Sequence, residues 1–449
     1  MKGSFIAAAA AVICLCTFLP AGSFAGGTMT LDQCLEKGIK NNTTLQAARF
    51  DVEAAAHDIK AARADFLPSL SSGYSISELG SISAEGLTET DYLDQNIRQF
   101  NVKLTQILYS GARIVNTYDK AKIRKKVIEA QTRMDMLEQV YQIETTFYKL
   151  LKAKQDVIAG AEAVERLEES VKSARAFFER ELVPYVNVLQ ARVDLADATE
   201  KLGIAENNVN RERVALFALI NQPVNPDIVF SGDLAPVATD IPGFSPTLKR
   251  ALAERPDVES LYLQKKMSRK DADIAMGKYL PSVRLDASYN DSDRDFDSMA
   301  PGPTQVDRDQ QNRYWSAGIH VTWELFDGGR AWYEKEKHKT QEHKLSALIN
   351  EAENTISSGI RQALLAMAEA DKRMEGAVSA LEAAEEYYAL EERRLNAGLS
   401  TIPDFLEAQN RLVRAEGNYA QATLDFRLAQ SELRLMTGKT PPVVMSALK

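Results

Sequence analysis

The chain has 449 residues, of which 26% are charged and 45% hydrophobic, with a net charge of −9 at neutral pH. This composition excludes a disordered chain. The lack of an apolar stretch of ~18 residues beyond the N-terminal segment also excludes a bundle of membrane-spanning helices. Net acidity with scattered lysines argues against a nucleic-acid partner.

The N-terminal segment, residues 1–25, is predicted to be a cleaved secretory signal peptide. A lysine at position 2 precedes an apolar run from Phe5 to Leu19, and small residues follow at Ser23 and Ala25. The alternative is an N-terminal membrane anchor, which the short apolar run disfavours. Cys34 is the one cysteine beyond this segment, so no disulfide is expected within the exported chain.

A helix from about Leu31 to Asp65 is predicted next, with a break near Asn41. It should end ahead of Pro68, because proline disfavours helical geometry in the preceding residue and has no N–H to donate. Alternating apolar and polar residues then predict strands at about 69–77 and 99–108, separated by a polar loop.

A long helical hairpin is predicted over 112–220. No proline interrupts the chain from about 112 to 183, and apolar residues recur at coiled-coil spacing. At ~1.5 Å per residue the first helix would be roughly 105 Å long. The return helix and the short helix before the strands, placed end to end, nearly match this length. The predicted packing therefore stacks these two helices end to end alongside the long helix.

The second half of the chain repeats the first. The sequence FLPS at 66–69 returns as YLPS at 279–282, and YSGAR at 109–113 returns as FDGGR at 326–330. The offsets are 213 and 217 positions. A repeat of this length indicates a duplicated half-molecule rather than a solenoid, whose units span about 20 to 50 residues.

The duplication predicts a second copy of each element. Strands are expected at about 282–290 and 314–325, and a second helical hairpin at 330–436. Ser110 and Asp327 are candidate N-caps for the two long helices. The predicted divisions of the chain are a signal peptide at 1–25, a first repeat at 26–223, a linker at 224–246, a second repeat at 247–438 and a tail at 439–449.

The four strands are long enough to span a bilayer as tilted β-structure, which takes about 9–11 residues. Aromatic residues near their ends suit the membrane–water boundary: Tyr74, Tyr289, Trp315 and Trp323. The alternative is a small soluble sheet with one wet face. The acidic segment 291–297 is interpreted as a solvated loop, because it lacks the glycine and the terminal glutamate of a calcium loop.

Four strands cannot close a membrane barrel, and an open sheet edge in lipid leaves backbone groups unpaired at several kcal/mol each. Known barrels have at least eight strands. Strands that lie in a membrane therefore require oligomerisation, with eight strands in a dimer or twelve in a trimer.

These repeated motifs, with the segment NAGLS at 396–400, resemble the TolC-like outer-membrane efflux proteins over about residues 31–438. The resemblance implies a mainly α fold with a small β part. Long coiled-coil hairpins would form a periplasmic α-barrel, and four strands per chain would build a twelve-stranded barrel in the outer membrane as a homotrimer. It also implies a passive exit duct that works with a periplasmic adaptor and an inner-membrane transporter.

The turns between the hairpin helices are the predicted periplasmic tips. They comprise Leu182, Val183 and Pro184 in the first repeat and Gly398, Leu399 and Ser400 in the second. Gly398 suits a left-handed helix cap, whereas the first turn has Glu181 where a glycine is expected. Ordinary turns without a partner are the alternative.

Asp404 and Glu407 begin the second return helix and share one face, because they are three residues apart. The resemblance places them as acidic rings at a narrow entrance, where they would favour cations. The alternative role is stabilisation of the helix dipole, which does not exclude the ring. Their repeat equivalents are the neutral amides Asn187 and Gln190.

No arrangement of a nucleophile and a base stands out, and His338 and His343 are poorly spaced for a metal. No catalysis, cofactor or metal site is therefore predicted. A soluble periplasmic coiled-coil scaffold or adaptor is the alternative function, and membrane fractionation would separate the two. The exported substrate stays open among drugs, metals, metabolites and proteins.

Overall fold

A computed structural model describes residues 27–79, 93–225, 227–234, 241–298, 310–442 and 444. The predicted signal peptide and most of the predicted polar loop between the first two strands lie outside these residues. Helices dominate the described chain, and their bounds are α1 Leu31–Asn41, α2 Thr43–Ala64, α3 Arg113–Glu179, α4 Tyr185–Leu219, α5 Phe244–Glu254, α6 Pro256–Met276, α7 Arg330–Asn396 and α8 Ile402–Thr437.

The strands form two sheets. A short parallel pair joins β1 (Thr28–Met29) to β4 (Val229–Phe230), and a four-stranded antiparallel sheet has the order β2-β3-β5-β6. The bounds of the larger sheet are β2 Ser69–Leu79, β3 Leu93–Ser110, β5 Ser282–Ser298 and β6 Gln310–Thr322. The β3–β5 pairing joins the two repeats.

The predicted hairpins and helix stacking are present in both repeats. The long helices α3 and α7 each have 67 residues, or about 100 Å at ~1.5 Å per residue. In the first repeat α4 and α2 both pack against α3, and in the second α8 and α6 both pack against α7. The break near Asn41 is also present, because Asn42 caps α2 by accepting from the Leu45 N–H.

The β5 strand extends beyond its predicted end, so the interpretation of 291–297 as a loop is wrong. The whole segment pairs with β3, and its residues up to Arg294 also pair with β6. Its carboxylates are partly neutralised across the sheet, since Asp293 and Asp295 pair with Arg98 and Asp291 pairs with Arg313. Backbone pairing on both edges and cross-strand ion pairs together keep an acidic sequence extended.

The β6 strand ends earlier than predicted, so Trp323 lies beyond it. Ser282, the first residue of β5, pairs with Thr322, and residues after Thr322 have no partner strand on that side. The Trp323 indole instead donates to the Tyr279 carbonyl oxygen at 2.9 Å. The strand β6 thus ends opposite the first residue of β5, its hydrogen-bonded neighbour.

Left-handed backbone conformations repeat with the sequence. Eight described residues have a positive φ, and they form four pairs that are each 217 positions apart: Gly111 with Gly328, Ala112 with Gly329, Glu181 with Gly398, and Asn221 with Gly438. These pairs mark both ends of each hairpin. The two halves therefore share their backbone turns even where the side chains differ.

The expected N-caps need one correction. The helices begin after left-handed residues, Ala112 for α3 and Gly329 for α7, so Ser110 and Asp327 lie two positions before the N-cap. Their side chains still bond to the first turn. The Ser110 hydroxyl accepts from the Ile114 N–H at 3.3 Å, and Asp327 accepts from the Ala331 N–H at 2.8 Å.

The largest apolar cluster lies midway along the helices, where α1 and β4 cover α3 and α4. Its fully buried members include Phe147, Phe217 and Ile143. Among the described helices, none combines the length and apolar composition that crossing a membrane requires.

Candidate functional site at the hairpin tips and the sheet

Both hairpin tips have the same backbone turn. In the first, Glu181 adopts φ +59°, and the Leu182 N–H bonds to the Phe177 carbonyl oxygen at 3.0 Å. In the second, Gly398 adopts φ +71°, and the Leu399 N–H bonds to the Arg394 carbonyl oxygen at 2.8 Å. This bond pattern is the Schellman cap, so Gly398 has its expected conformation and Glu181 occupies the equivalent position.

The second tip is held by a buried carboxylate that the sequence patterns did not reveal. Glu391 is 3% exposed, accepts from the Arg394 guanidinium at 2.7 Å and also bonds to the Ser400 hydroxyl. Arg394 additionally donates to the Leu399 carbonyl oxygen at 3.4 Å. The turn is thereby tied to its own helix.

The first tip is held by apolar contact instead. The positions equivalent to Glu391, Arg394 and Ser400 are the apolar residues Ala174, Phe177 and Val183, which join one cluster. On the outer surface of this tip lies a second set of apolar side chains: Phe178, Leu182, Tyr185 and Val186. Comparing the repeats position by position would have pointed to Glu391, because a carboxylate replaces an alanine.

Asp404 and Glu407 lie on one exposed face at the start of α8, as expected from their spacing. Asp404 forms a capping box with Thr401, so its carboxylate has the helix-stabilising role that the sequence left open. Glu407 pairs with Arg411 at 2.8 Å. Both carboxylates remain accessible to solvent.

The first and second hairpins are joined near the tips through α3 and α8. The Ser170 hydroxyl bonds to the Gln409 amide oxygen at 3.2 Å in a buried position. Arg166 pairs with Glu416 at 3.4 Å, and these two side chains are only 19% and 21% exposed. Desolvation raises the pKa of Glu416, although the Arg166 charge opposes this.

One face of the four-stranded sheet is apolar and open to the surroundings. Trp315 is 77% exposed and pairs with Tyr289, and Tyr74 lies one step further along the sheet. Trp323 lies at the opposite end. The apolar positions of this face are Leu70, Tyr74, Ile76, Phe100, Val102, Leu104, Val283, Leu285, Ala287, Tyr289, Trp315, Ala317, Ile319 and Val321.

The opposite face of the sheet is polar. Asp286 accepts from the Thr105 hydroxyl at 2.7 Å and from the Arg284 guanidinium at 2.9 Å, and Lys103 lies 3.5 Å away. A sheet with an apolar outer face, aromatic residues at its ends and a polar inner face is the pattern of a transmembrane barrel wall. The fold thus defines a class of protein in which long helical hairpins continue such a wall.

Comparison with known proteins agrees with this class. The family model described as "Outer membrane efflux protein" matches residues 35–222 and 247–439, so this chain belongs to that family. The chain is therefore an outer-membrane efflux protein, as its sequence motifs indicated. The family consists of channel proteins rather than enzymes.

Individual relatives are distant but cover nearly the whole chain. The outer membrane efflux protein BepC of Brucella suis is 24% identical over 415 residues, which span 91% of this chain and 85% of BepC. The pyoverdine export outer membrane protein OpmQ of Pseudomonas aeruginosa is 22% identical over 417 residues, spanning 90% and 83%. The CmeC outer membrane channel of Campylobacter jejuni has the same fold, with a TM-score of 0.77, 18% identity, and coverage of 93% and 88%.

Proposed function

We propose that three copies of this chain form a passive exit duct, with the sheets in the outer membrane and the hairpins in the periplasm. The mouth of the duct would meet a periplasmic adaptor and an inner-membrane transporter, which supplies the energy. The observation that carries the proposal is an incomplete set of neighbours around α7.

The short helices α1 and α5 pack on α3 and α7 in equivalent ways, but the longer helices do not. In the described chain α2, α4, α6 and α8 pack around α3, whereas α6 and α8 pack around its repeat equivalent α7. The missing neighbours are the equivalents of α6 and α8, namely α2 and α4. A second copy can supply both, because α2 and α4 pack mainly against α3 in their own chain.

The burial of α2 and α6 supports this assignment. The helix α6 lies between α3 and α7 and buries seven residues, whereas α2 buries only Leu45 and Ala55. Since the two helices are repeat equivalents and α2 packs on α3 as α6 packs on α7, the open face of α2 corresponds to the face of α6 that packs against α3. The same contact made between copies would close a ring.

The four-stranded sheet also lacks neighbours that a second copy could supply. Within each chain β3 pairs with β5, but β2 and β6 each have one edge without a partner in the described sheet. An open edge in lipid is costly, so the edges must pair between copies. The resemblance implies three copies and hence twelve strands.

The hairpin tips are the proposed docking surface for the adaptor. The first tip offers Leu182, Val183 and Pro184 with exposed apolar neighbours, and the second offers Gly398, Leu399 and Ser400 on a turn fixed by Glu391. Apolar, rigid protrusions suit association with another protein, because little conformational entropy is lost on binding.

Membrane fractionation with native mass measurement tests the proposal. The full-length chain expressed in its host should sediment with the outer membrane, and the detergent-extracted protein should have three times the mass of the mature chain. A protein found wholly in the soluble periplasmic fraction would support a scaffold or adaptor and overturn the duct.

Asp404 and Glu407 are proposed to form the acidic entrance, six carboxylates in a trimer. Single-channel measurements on Asp404→Asn with Glu407→Gln should show weaker cation preference, because the mouth loses negative charge. Asp404→Asn alone should have the larger effect, since Arg411 already balances Glu407. Unchanged selectivity in the double variant would remove both residues from the entrance.

A further inference from the structure

The helices α6 and α2 are repeat equivalents, so the contacts of α6 with α3 identify the contacts that α2 should make with α7 of another copy. This step rests on the trimer proposed above. The break before each helix has a similar backbone, with φ −70° at Arg255 and −64° at Asn42, which are 213 positions apart. The long helices keep an offset of 217 at both ends. Each residue pair between α3 and α6 therefore has a defined counterpart between copies.

The polar pairs of the α3–α6 contact have complementary counterparts on α7 and α2. Three pairs of opposite charge join α3 to α6: Lys120 with Asp271 at 2.5 Å, Asp119 with Lys270 at 3.3 Å, and Arg133 with Glu259 at 2.5 Å. Their counterparts are, in the same order, Lys337 with Asp58, Glu336 with His57, and Asn350 with Gln46. Two counterparts set an acid against a base, and the third sets two amides together, which can donate to each other. The match is what a contact between copies requires.

An apolar contact lies between these polar pairs. Leu263 of α6 lies on the face that bonds to α3 and is 9% exposed, whereas its equivalent on α2, Phe50, is 69% exposed. The antiparallel register of the three pairs places Phe50 beside Ala347 of α7. The equivalent of Ala347 on α3 is Ala130, which is fully buried. A phenylalanine that faces an alanine across two helices packs as a knob into a hole.

The surface of α7 that would receive α2 is open in the single chain. The positions equivalent to the α6-facing residues of α3 recur every three or four residues, and all are exposed: Tyr333, Lys337, Thr340, Lys344, Ala347 and Asn350. On α2, Asp58 reaches Arg124 of its own chain at 4.0 Å, the limit of an ion pair, and both side chains are more than half exposed. Asp58 is therefore available to a closer partner.

We infer that α2 of one copy docks on this surface of the next through two ion pairs: Asp58 with Lys337 and His57 with Glu336. We call this contact the α2–α7 seam, and its partner is a second copy of this chain. His57 stands where the α3–α6 contact has Lys270, so its ion pair forms only when the imidazole is protonated. The seam between copies therefore tightens on acidification, whereas the α3–α6 contact keeps its lysine charge.

The surroundings of His57 set the direction of this effect. Besides the two ion pairs, the charged and titratable groups that face it are all exposed: Glu53, Lys60, Arg124, Tyr333, Lys339 and His343. Their net positive charge opposes protonation, but it is screened by salt over about 8–10 Å. Glu336 is in direct contact by the register of Asp119 with Lys270. Assembly therefore takes up protons at His57, and the state that binds more protons is favoured as the pH falls.

Exchanging the charges of one pair tests the docking. Asp58→Lys or Lys337→Asp alone should reduce the trimer fraction roughly tenfold, because like charges then face each other in the seam. Asp58→Lys combined with Lys337→Asp restores the pair in reverse and should recover trimers to within about twofold of the wild type. Native mass measurement of the detergent-extracted protein gives the fraction. Lys120→Asp combined with Asp271→Lys is the matched control, because both charges lie in one chain and the trimer fraction should be unchanged.

Heating the trimers in mild detergent at about pH 8 and about pH 5.5 tests the histidine pair. Wild-type trimers should dissociate at a temperature roughly 2–4 °C higher at the lower pH, relative to His57→Lys, whose charge is constant. The absence of this difference would overturn the histidine pair.

Cross-linking keeps the docking testable where a charge variant fails to fold. A short bis-methanethiosulfonate reagent should link Asp58→Cys to Lys337→Cys between chains and Lys120→Cys to Asp271→Cys within one chain. A double charge exchange no better than the single changes, or no link between chains in intact trimers, would overturn the α2–α7 seam. A wild-type protein that forms no trimers would instead refute the proposed duct.

Discussion

Replacing Arg434 by methionine should destabilise the chain by about 3–5 kcal/mol, because it leaves the buried Glu144 carboxylate without its counter-ion. Glu144 lies on α3, is 2% exposed and pairs with Arg434 of α8 at 3.1 Å. Thermal unfolding of the detergent-solubilised protein measures the change. The ion pair joins α3 of the first repeat to α8 of the second midway along the helices, so its removal should destabilise the packing of both repeats.

The effect of Arg434→Met should depend on pH. Burial raises the pKa of Glu144, and Arg434 and Ser431 only partly oppose this. A carboxyl whose pKa is higher in the folded state contributes most stability at low pH and loses it as the pH rises through the raised pKa. The destabilisation should therefore shrink on acidification, whereas Glu144→Gln should be mild and insensitive to pH in this range. A neutral effect of Arg434→Met at pH 7 would show that the ion pair is dispensable.

Gly111→Ala should be strongly destabilising. Gly111 has φ +64°, and an added Cβ would lie 2.2 Å from the Gly277 carbonyl oxygen. Left-handed strain alone costs about 1–2 kcal/mol, and displacing a neighbouring backbone adds to it. We expect a loss above about 3 kcal/mol in thermal unfolding, or failure to accumulate folded protein.

Gly398→Ala is the matched control for backbone strain. Gly398 has φ +71°, and an added Cβ would meet no heavy atom within 4 Å. Its cost should therefore be that of the left-handed conformation alone, about 1–2 kcal/mol. Equal costs for the two substitutions would show that the close approach of Gly111 and Gly277 does not restrict the fold.

Much of the architecture could be predicted from the sequence because the chain is duplicated. The helical hairpins, the strands and the left-handed Gly398 follow from local signals that appear twice in register. Proline placement acts within a few residues, so it locates the start of a strand that follows a proline. The strands β3 and β6 follow no proline, and they begin at Leu93 and Gln310, before their predicted starts at about 99 and 314. The strand starts at Ser69 and Ser282, each directly after a proline, were predicted correctly.

Strand ends and buried polar bonds were harder to predict because they depend on distant partners. The acidic end of β5 is extended because its backbone pairs with neighbouring strands that also carry Arg98 and Arg313. The strand β6 ends at Thr322 because β5 begins at Ser282. The burial of Glu391 has no local sequence signal, because charged residues follow it directly, and only the comparison with Ala174 in the first repeat points to it. The entrance and tip residues stay predictions until the assembled channel is measured.

The most direct test of the duct is whether β6 of one copy pairs with β2 of the next. Within a chain, Lys103 of β3 faces Ser288 of β5. The repeat equivalent of Lys103 is His320 of β6, 217 positions later, and that of Ser288 is Ser75 of β2, 213 positions earlier. His320→Cys with Ser75→Cys should therefore form disulfides between chains, because residues directly opposite have Cα atoms about 4.5–5.5 Å apart. Cys34 is buried, and burial raises its pKa to about 12, so it should not interfere.

Lys103→Cys with Ser288→Cys is the matched control, since the same reaction there stays within one chain. The account predicts covalent dimers and trimers from His320→Cys with Ser75→Cys, and only monomers from the control. His320→Cys with Ser71→Cys, four residues out of register, should link poorly. Monomers from all three variants in membranes that contain the folded protein would contradict the closed barrel.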